Sequence, residues 1–149
     1  MRSVFNESDY RELVARIEKL PADAPRQWGK MDVAQMLAHC SETVRVVLGE
    51  VVLKRLFIGR IIGPFVKKGY LSASPFKPGS PTAPSFVVTT PREFEKEKTK
   101  LLGLLKKMYE GGEANVTQHP HAFFGKMTPK QWGETQWKHF DHHLRQFGN

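Results

Sequence analysis

Between Asp32 and Gly49 the apolar residues Val33, Leu37, Cys40, Val44 and Val47 recur in alternating steps of four and three. That spacing keeps a narrow apolar stripe on one side of a 3.6-residue helix, and such a stripe can be hidden only against other helices. A half-buried strand would need alternation with a period of two, and no convincing set of such stretches occurs in the chain. The stripe therefore constrains the chain to an all-α fold with several packed helices.

The rest of the sequence supplies the partners. A first helix is predicted from about Ser8 to Leu20, capped by Asn6 or Ser8, with acids in its first turn, an apolar stripe of Leu13, Ile17 and Leu20, and Pro21 after it. Pro21 to Lys30 reads as a loop holding the Trp28-Gly29 pair, and the second helix starts near Met31 or Asp32. Val51 to Tyr70 reads as a further helix, or as two short ones broken at Gly63-Pro64, apolar on one side and cationic on the other. We take it as a solvated basic face over an apolar underside. Ser72 to Pro91 is rich in proline and serine and reads as a long loop, with Val87 and Val88 as a short extended piece. A third bundle helix is expected from Pro91 to Tyr109, with Pro91 in its first turn, lysines late, and Gly111-Gly112 ending it. After a second long loop, Gly112 to Met127, the last helix runs from an N-cap at Thr128, with Pro129 at its first position, to Phe147. The expectation is one domain over residues 1–149: a four-helix bundle with an extra helix inserted between the second and third bundle helices.

Charge and composition narrow the function classes. The formal net charge is +8 and the isoelectric point about 9.7. This permits anionic partners, yet no groove-reading or aromatic-basic motif is present, so no specific nucleic acid is expected. The single cysteine, Cys40, rules out an internal disulfide and fits a reducing, cytoplasmic setting. It lies on the apolar stripe and reads as core. The residues around Met1 to Glu7 contain no apolar signal-like run. The most apolar stretch, Val51 to Val66, is cut by Lys54, Arg55 and Arg60, so no transmembrane segment is expected.

The chemistry concentrates in the last helix, where His139, His142 and His143 fall within Trp137 to His143. His139 and His143 are spaced i,i+4 and stack on one face, so two imidazoles can converge on one ion. At about 100° per residue they lie on the shoulder of an apolar arc made by Trp132, Phe147, Phe140, Leu144 and Trp137, while His142, Asp141 and Arg145 point to the wet side. The plain alternative is a pair of core-edge histidines that hydrogen-bond within the bundle. His39 is the other histidine on a firm helix, about 120° from the centre of the Val33-Leu37-Cys40 stripe; a flank position can still point inward, but taken alone it reads as structural rather than as a ligand. His119 and His121 lie on a loop, where they could gate or complete a site or simply be solvated.

These residues resemble a known family. Trp28 followed by Asp32-Val33-Ala34-Gln35-Met36-Leu37-Ala38-His39 resembles the second-helix start of the DinB/YfiT-like superfamily, and Trp137 to Gln146 resembles its late H-x-x-H-H helix. His119-Pro120, Phe123 to Pro129, Trp132-Gly133 and the C-terminal His-His-Leu-Arg-Gln-Phe-Gly are similar to an uncharacterised branch of it. The resemblance implies an up-down-down-up four-helix bundle holding one divalent metal, often nickel or zinc, on one histidine of the second helix and two of the last. Carried onto this chain, these are His39, His139 and His143. The chain departs from the pattern in having Leu144 where the common motif has arginine, with Arg145 one position later, and in carrying His121.

The resemblance further implies a metal-dependent, thiol-dependent transferase or a hydrolase, with a low-molecular-weight thiol among its substrates. The alternative is a non-catalytic metal-binding or partner-binding bundle. No protein general base is evident, since Glu42 and Asp141 point away on their helical wheels. Gln35, Thr43, His121, Trp132 and Gln136 are the candidate supporting or substrate-contacting residues. The basic stretch from Lys54 to Lys68 could attract an anionic thiol or carboxylate, and a homodimer is open to the chain, since bundles of the resembled type often dimerise through an outer helix face.

Overall fold

The computed structural model describes residues 1–80, 82 and 84–149. It is all-helical: α1 (Glu7–Lys19), α2 (Val33–Val47), α3 (Phe57–Tyr70), α4 (Phe94–Gly111) and α5 (Pro129–Gln146), with single 3-10 turns at Pro84–Phe86 and Glu113–Asn115. Among the described residues there is no strand, only an isolated bridge between His121 and Gly125.

Local chemistry sets the helix starts. The Asn6 side chain accepts from the backbone N–H groups of Ser8 and Asp9 and caps α1. Reciprocal capping boxes start α2 (Asp32 with Gln35) and α5 (Thr128 with Gln131), and Pro129 occupies the first turn of α5 as its sequence demands. α4 ends on Gly112, whose φ of 60° suits glycine. α4 begins at Phe94 rather than at Pro91. The carbonyl of Thr90 is held by the side-chain amide of Gln35, and the backbone is still extended at Glu93, the residue before the first helical turn.

The helices touch in a cycle: α2 packs on α4 and α5, and α1 packs on α5 and α4. Between them lie Leu13 and Ile17 from α1, Leu37, Cys40 and Val44 from α2, Leu101 and Leu105 from α4, and Phe140 and Leu144 from α5, all buried. The predicted stripe of α2 is thus the core stripe, and the fully buried Cys40 thiol is pushed up from its usual value by burial. Tyr10 of α1 stacks on Tyr109 of α4 with ring centroids 4.0 Å apart.

The stretch before Tyr70 departs from expectation in two ways. Helix starts only at Phe57, and it runs unbroken through Pro64. Pro64 is exposed, so the carbonyl one turn earlier, which loses its helical donor, lies where water can serve it. The underside of α3 is also not apolar: its buried residues are Gly59 and Gly63, while Phe57, Ile61 and Phe65 are exposed. The Val87-Val88 piece forms no strand. No helix of the described residues is long and apolar enough to cross a membrane.

Candidate metal centre

α2 and α5 pack face to face, and the contact brings His39 of α2 against His139 and His143 of α5. The three ring centroids are separated by 5.0, 4.7 and 4.6 Å, and one nitrogen from each ring lies within 4.8 Å of the other two. The i,i+4 pair thus converges as its spacing requires, and His39, ambiguous by sequence, completes the group.

Hydrogen bonds fix the tautomers. His39 Nδ1 lies 2.8 Å from the carbonyl oxygen of Phe86. A carbonyl can only accept, so Nδ1 carries the proton and Nε2 keeps its lone pair. The amide nitrogen of Gln146 donates to the carbonyl of Trp28 at 2.8 Å, which turns Oε1 of Gln146 toward His143 Nδ1, also at 2.8 Å. His143 is thereby protonated at Nδ1 as well, and its Nε2 is bare. His39 Nε2 sits 3.0 Å from Nε2 of His139. A proton on His139 can serve one of these lone pairs only, and it would leave the sealed Nδ1 of His139 without a partner.

A divalent ion fits this donor set. Neutral imidazoles whose second nitrogen donates to a carbonyl are the usual protein ligands of zinc and nickel. Two nitrogens on a tetrahedral zinc lie about 3.3 Å apart, close to the 3.0 Å found between His39 and His139. All three rings are held neutral. Burial lowers His39; burial and then the neighbouring His143 push His139 well below the usual range; burial, with the adjacent His39, takes His143 to about 3. His39 and His143 are buried, whereas His139 keeps partial exposure at its edge.

A family model described as "Protein of unknown function (DUF1569)" matches residues 4–149. The chain belongs to the DUF1569 family. No curated protein and no solved structure matches it.

Other residues of this DUF1569 chain fall into place around the cluster. Thr43 Oγ1 donates to the Cys40 carbonyl at 2.8 Å and reaches Gln136 Oε1 at 3.4 Å, tying α2 to α5 one turn from the histidines. Gln35 is engaged at both ends of its amide, by the backbone N–H of Asp32 and the carbonyl of Thr90, so it works as a helix cap. His121 is not brought to the cluster. Its Nδ1 accepts from the backbone N–H groups of Phe123 and Phe124, and its ring lies against Phe124 and Trp132. Trp132 is buried in the core, with its indole N–H unpartnered among the described residues. Glu42 is ion-paired with Arg45 and Lys100, and Asp141 with Arg16 and Arg145.

His142 corrects the helical-wheel reading. It is buried rather than solvent-facing, because the stretch after α3 folds over that side of α5. The Phe76 carbonyl lies 3.2 Å from His142 Nδ1, and the carbonyls of Tyr70 and Ser72 accept from Lys138 Nζ. Sequence reasoning missed the Phe86 carbonyl and Gln146 as partners of the cluster. Gln146 was findable, since it stands three residues after His143 on the same helix face. Phe86 lies far away in the chain and carried no signal.

Proposed function

We propose that His39, His139 and His143 hold one divalent ion, zinc or nickel, in a DinB-like up-down-down-up four-helix bundle with α3 inserted, and that the protein is a metal-dependent transferase or hydrolase acting with a low-molecular-weight thiol in the cytoplasm. The observation that carries this reading is the pair of fixed tautomers: the Phe86 carbonyl and Gln146 Oε1 each accept a hydrogen bond from Nδ1–H, which leaves the Nε2 lone pairs bare. The cyclic packing of α1, α2, α4 and α5, with α3 outside it, supports the bundle reading.

Three protein ligands leave room for a further group. When bound, such an ion would supply a Lewis acid that lowers the pKa of a water or a thiol. The chain's own part is to hold three neutral imidazoles and orient two of them through carbonyl acceptors. Glu42 and Asp141 are engaged in ion pairs, so neither is free to act as a base.

Turnover tests the reading. Zinc- or nickel-loaded wild type, given a small thiol with an electrophilic aromatic halide, or an activated ester with water, should turn over at least about a hundredfold faster than His143→Ala. A loaded wild type no faster than the free ion would refute catalysis and leave the second reading, a non-catalytic metal site, which the burial of His39 and His143 favours.

A further inference from the structure

α3 presents its apolar residues to solvent. It docks on the Ala122–Lys126 stretch by backbone and small residues: a Cβ at Gly59 or Gly63 would lie 2.7 or 2.4 Å from the Phe123 carbonyl oxygen. The Leu56 N–H donates to the Ala122 carbonyl at 3.0 Å, Arg55 donates to the His121 carbonyl at 2.8 Å, and Lys67 donates to the Lys126 carbonyl. That close approach turns the large side chains outward. Phe57 is 77% exposed and Phe65 83%, and Ile58, Ile61 and Ile62 are each at least 40% exposed. At 100° per residue these side chains span an arc of about 140° facing away from the glycines. Exposed apolar area of this extent on one helix marks a docking surface.

Charge identifies the occupant. Between Glu50 and Glu93 the sequence contains no aspartate or glutamate, but it contains Lys54, Arg55, Arg60, Lys67, Lys68, Lys77 and Arg92. Among the described residues, Lys54, Arg60, Lys67 and Lys68 take part in no ion pair. A second copy placed on this face would set cations against cations. A nucleic acid would answer the charge but leave the phenylalanines and isoleucines in water. An apolar arc bordered by lysine and arginine on an exposed helix is the pattern of a helix lying in the plane of an anionic bilayer surface.

We propose that α3 is an interfacial anchor that lays Phe57, Ile58, Ile61, Ile62 and Phe65 into an anionic membrane surface, with Lys54, Arg60 and Lys68 among the headgroups. The 14-residue helix is about 21 Å long, too short to span a bilayer, so the contact is peripheral and reversible. The long stems of Arg60 and Lys68 can reach the headgroups while the apolar side chains enter the acyl boundary.

Vesicle flotation tests this with the full chain. Wild type should bind vesicles of mixed phosphatidylglycerol and phosphatidylcholine, bind phosphatidylcholine alone far more weakly, and dissociate as salt rises. The variant Ile61→Asp with Phe65→Asp alters exposed side chains only, so its circular dichroism should match wild type while its partition falls at least about tenfold. Arg60→Glu with Lys68→Glu should lose the preference for the anionic lipid. The proposal is overturned if wild type ignores anionic vesicles or if the Asp double variant binds them equally. It is also overturned if light scattering shows a dimer that the Asp double variant dissolves, or if duplex DNA outcompetes the vesicles.

Discussion

α5 and α3 invert the usual amphipathic rule in opposite directions. α5 buries polar groups: His142, His143, Lys138, Gln136 and Gln146 are all largely hidden. α3 exposes apolar ones, with Phe57 and Phe65 almost fully in water. Several of these groups find partners within the fold: Lys138 in two carbonyls, His142 in the Phe76 carbonyl, His143 in Gln146, and Gln146 in the Trp28 carbonyl. The apolar side chains of α3 from Phe57 to Phe65 leave about half or more of their surface in water, apart from Ile62 at 40%. A buried polar group must find its partners inside the fold, whereas an exposed apolar face can wait for a partner from outside. α5 is therefore read as the site and α3 as the surface that meets something else.

The largest expected contrast is in stability. Phe140→Ala on α5 removes a fully buried ring and should cost about 3–5 kcal/mol in urea unfolding, whereas Phe65→Ala on α3 should stay within about 0.5 kcal/mol of wild type. Comparable losses at the two positions would mean that α3 is packed after all.

The buried imidazoles make a second contrast, in pH. His121 is held at about 4 by burial and then by Arg55 and Lys67, and His143 at about 3 by burial and the neighbouring His39. An unfolded histidine titrates near 6.5. Between these values the unfolded chain binds protons that the folded chain refuses, so the unfolded state is favoured as pH falls. For metal-free protein, the stability these groups contribute is complete above about pH 6.5 and is lost as pH falls through about 4 toward 3. Urea midpoints measured from pH 7 to pH 4 should decline steadily; a flat profile would show that these rings are not held neutral.

A smaller contrast than that between Phe140 and Phe65 lies within α3 itself. Gly63→Ala drives a Cβ to 2.4 Å from the Phe123 carbonyl oxygen and should cost about 1–3 kcal/mol. Gly69→Ala meets nothing within 4 Å and should be neutral or stabilising by up to about 1 kcal/mol. Equal responses would undo the docking geometry that turns the apolar side chains outward.

The core stripe of α2, the caps of α1 and α5 and the convergence of His139 with His143 were legible because each depends on residues within a turn or two of one another. Wheel geometry also placed Trp132, Phe140 and Leu144 correctly in the core. What failed was the reading of which face meets what. His142 and α3 were assigned by the rule that polar faces water and apolar faces core. The fold overrides that rule where the stretch after α3 covers His142 and where Gly59 and Gly63 bring the α3 backbone against Phe123. Such contacts join distant parts of the chain, and a single sequence carries no local trace of them.

The central claim is that three neutral imidazoles, two with Nδ1–H held by carbonyl acceptors and Nε2 left bare, form one metal site. The most direct test is elemental analysis of untagged protein, as wild type and as His139→Ala with His143→Ala. The account predicts close to one zinc or nickel per chain in wild type, lost in the double variant. Wild type that takes up no metal even on reconstitution, or a double variant that retains it, would contradict the account.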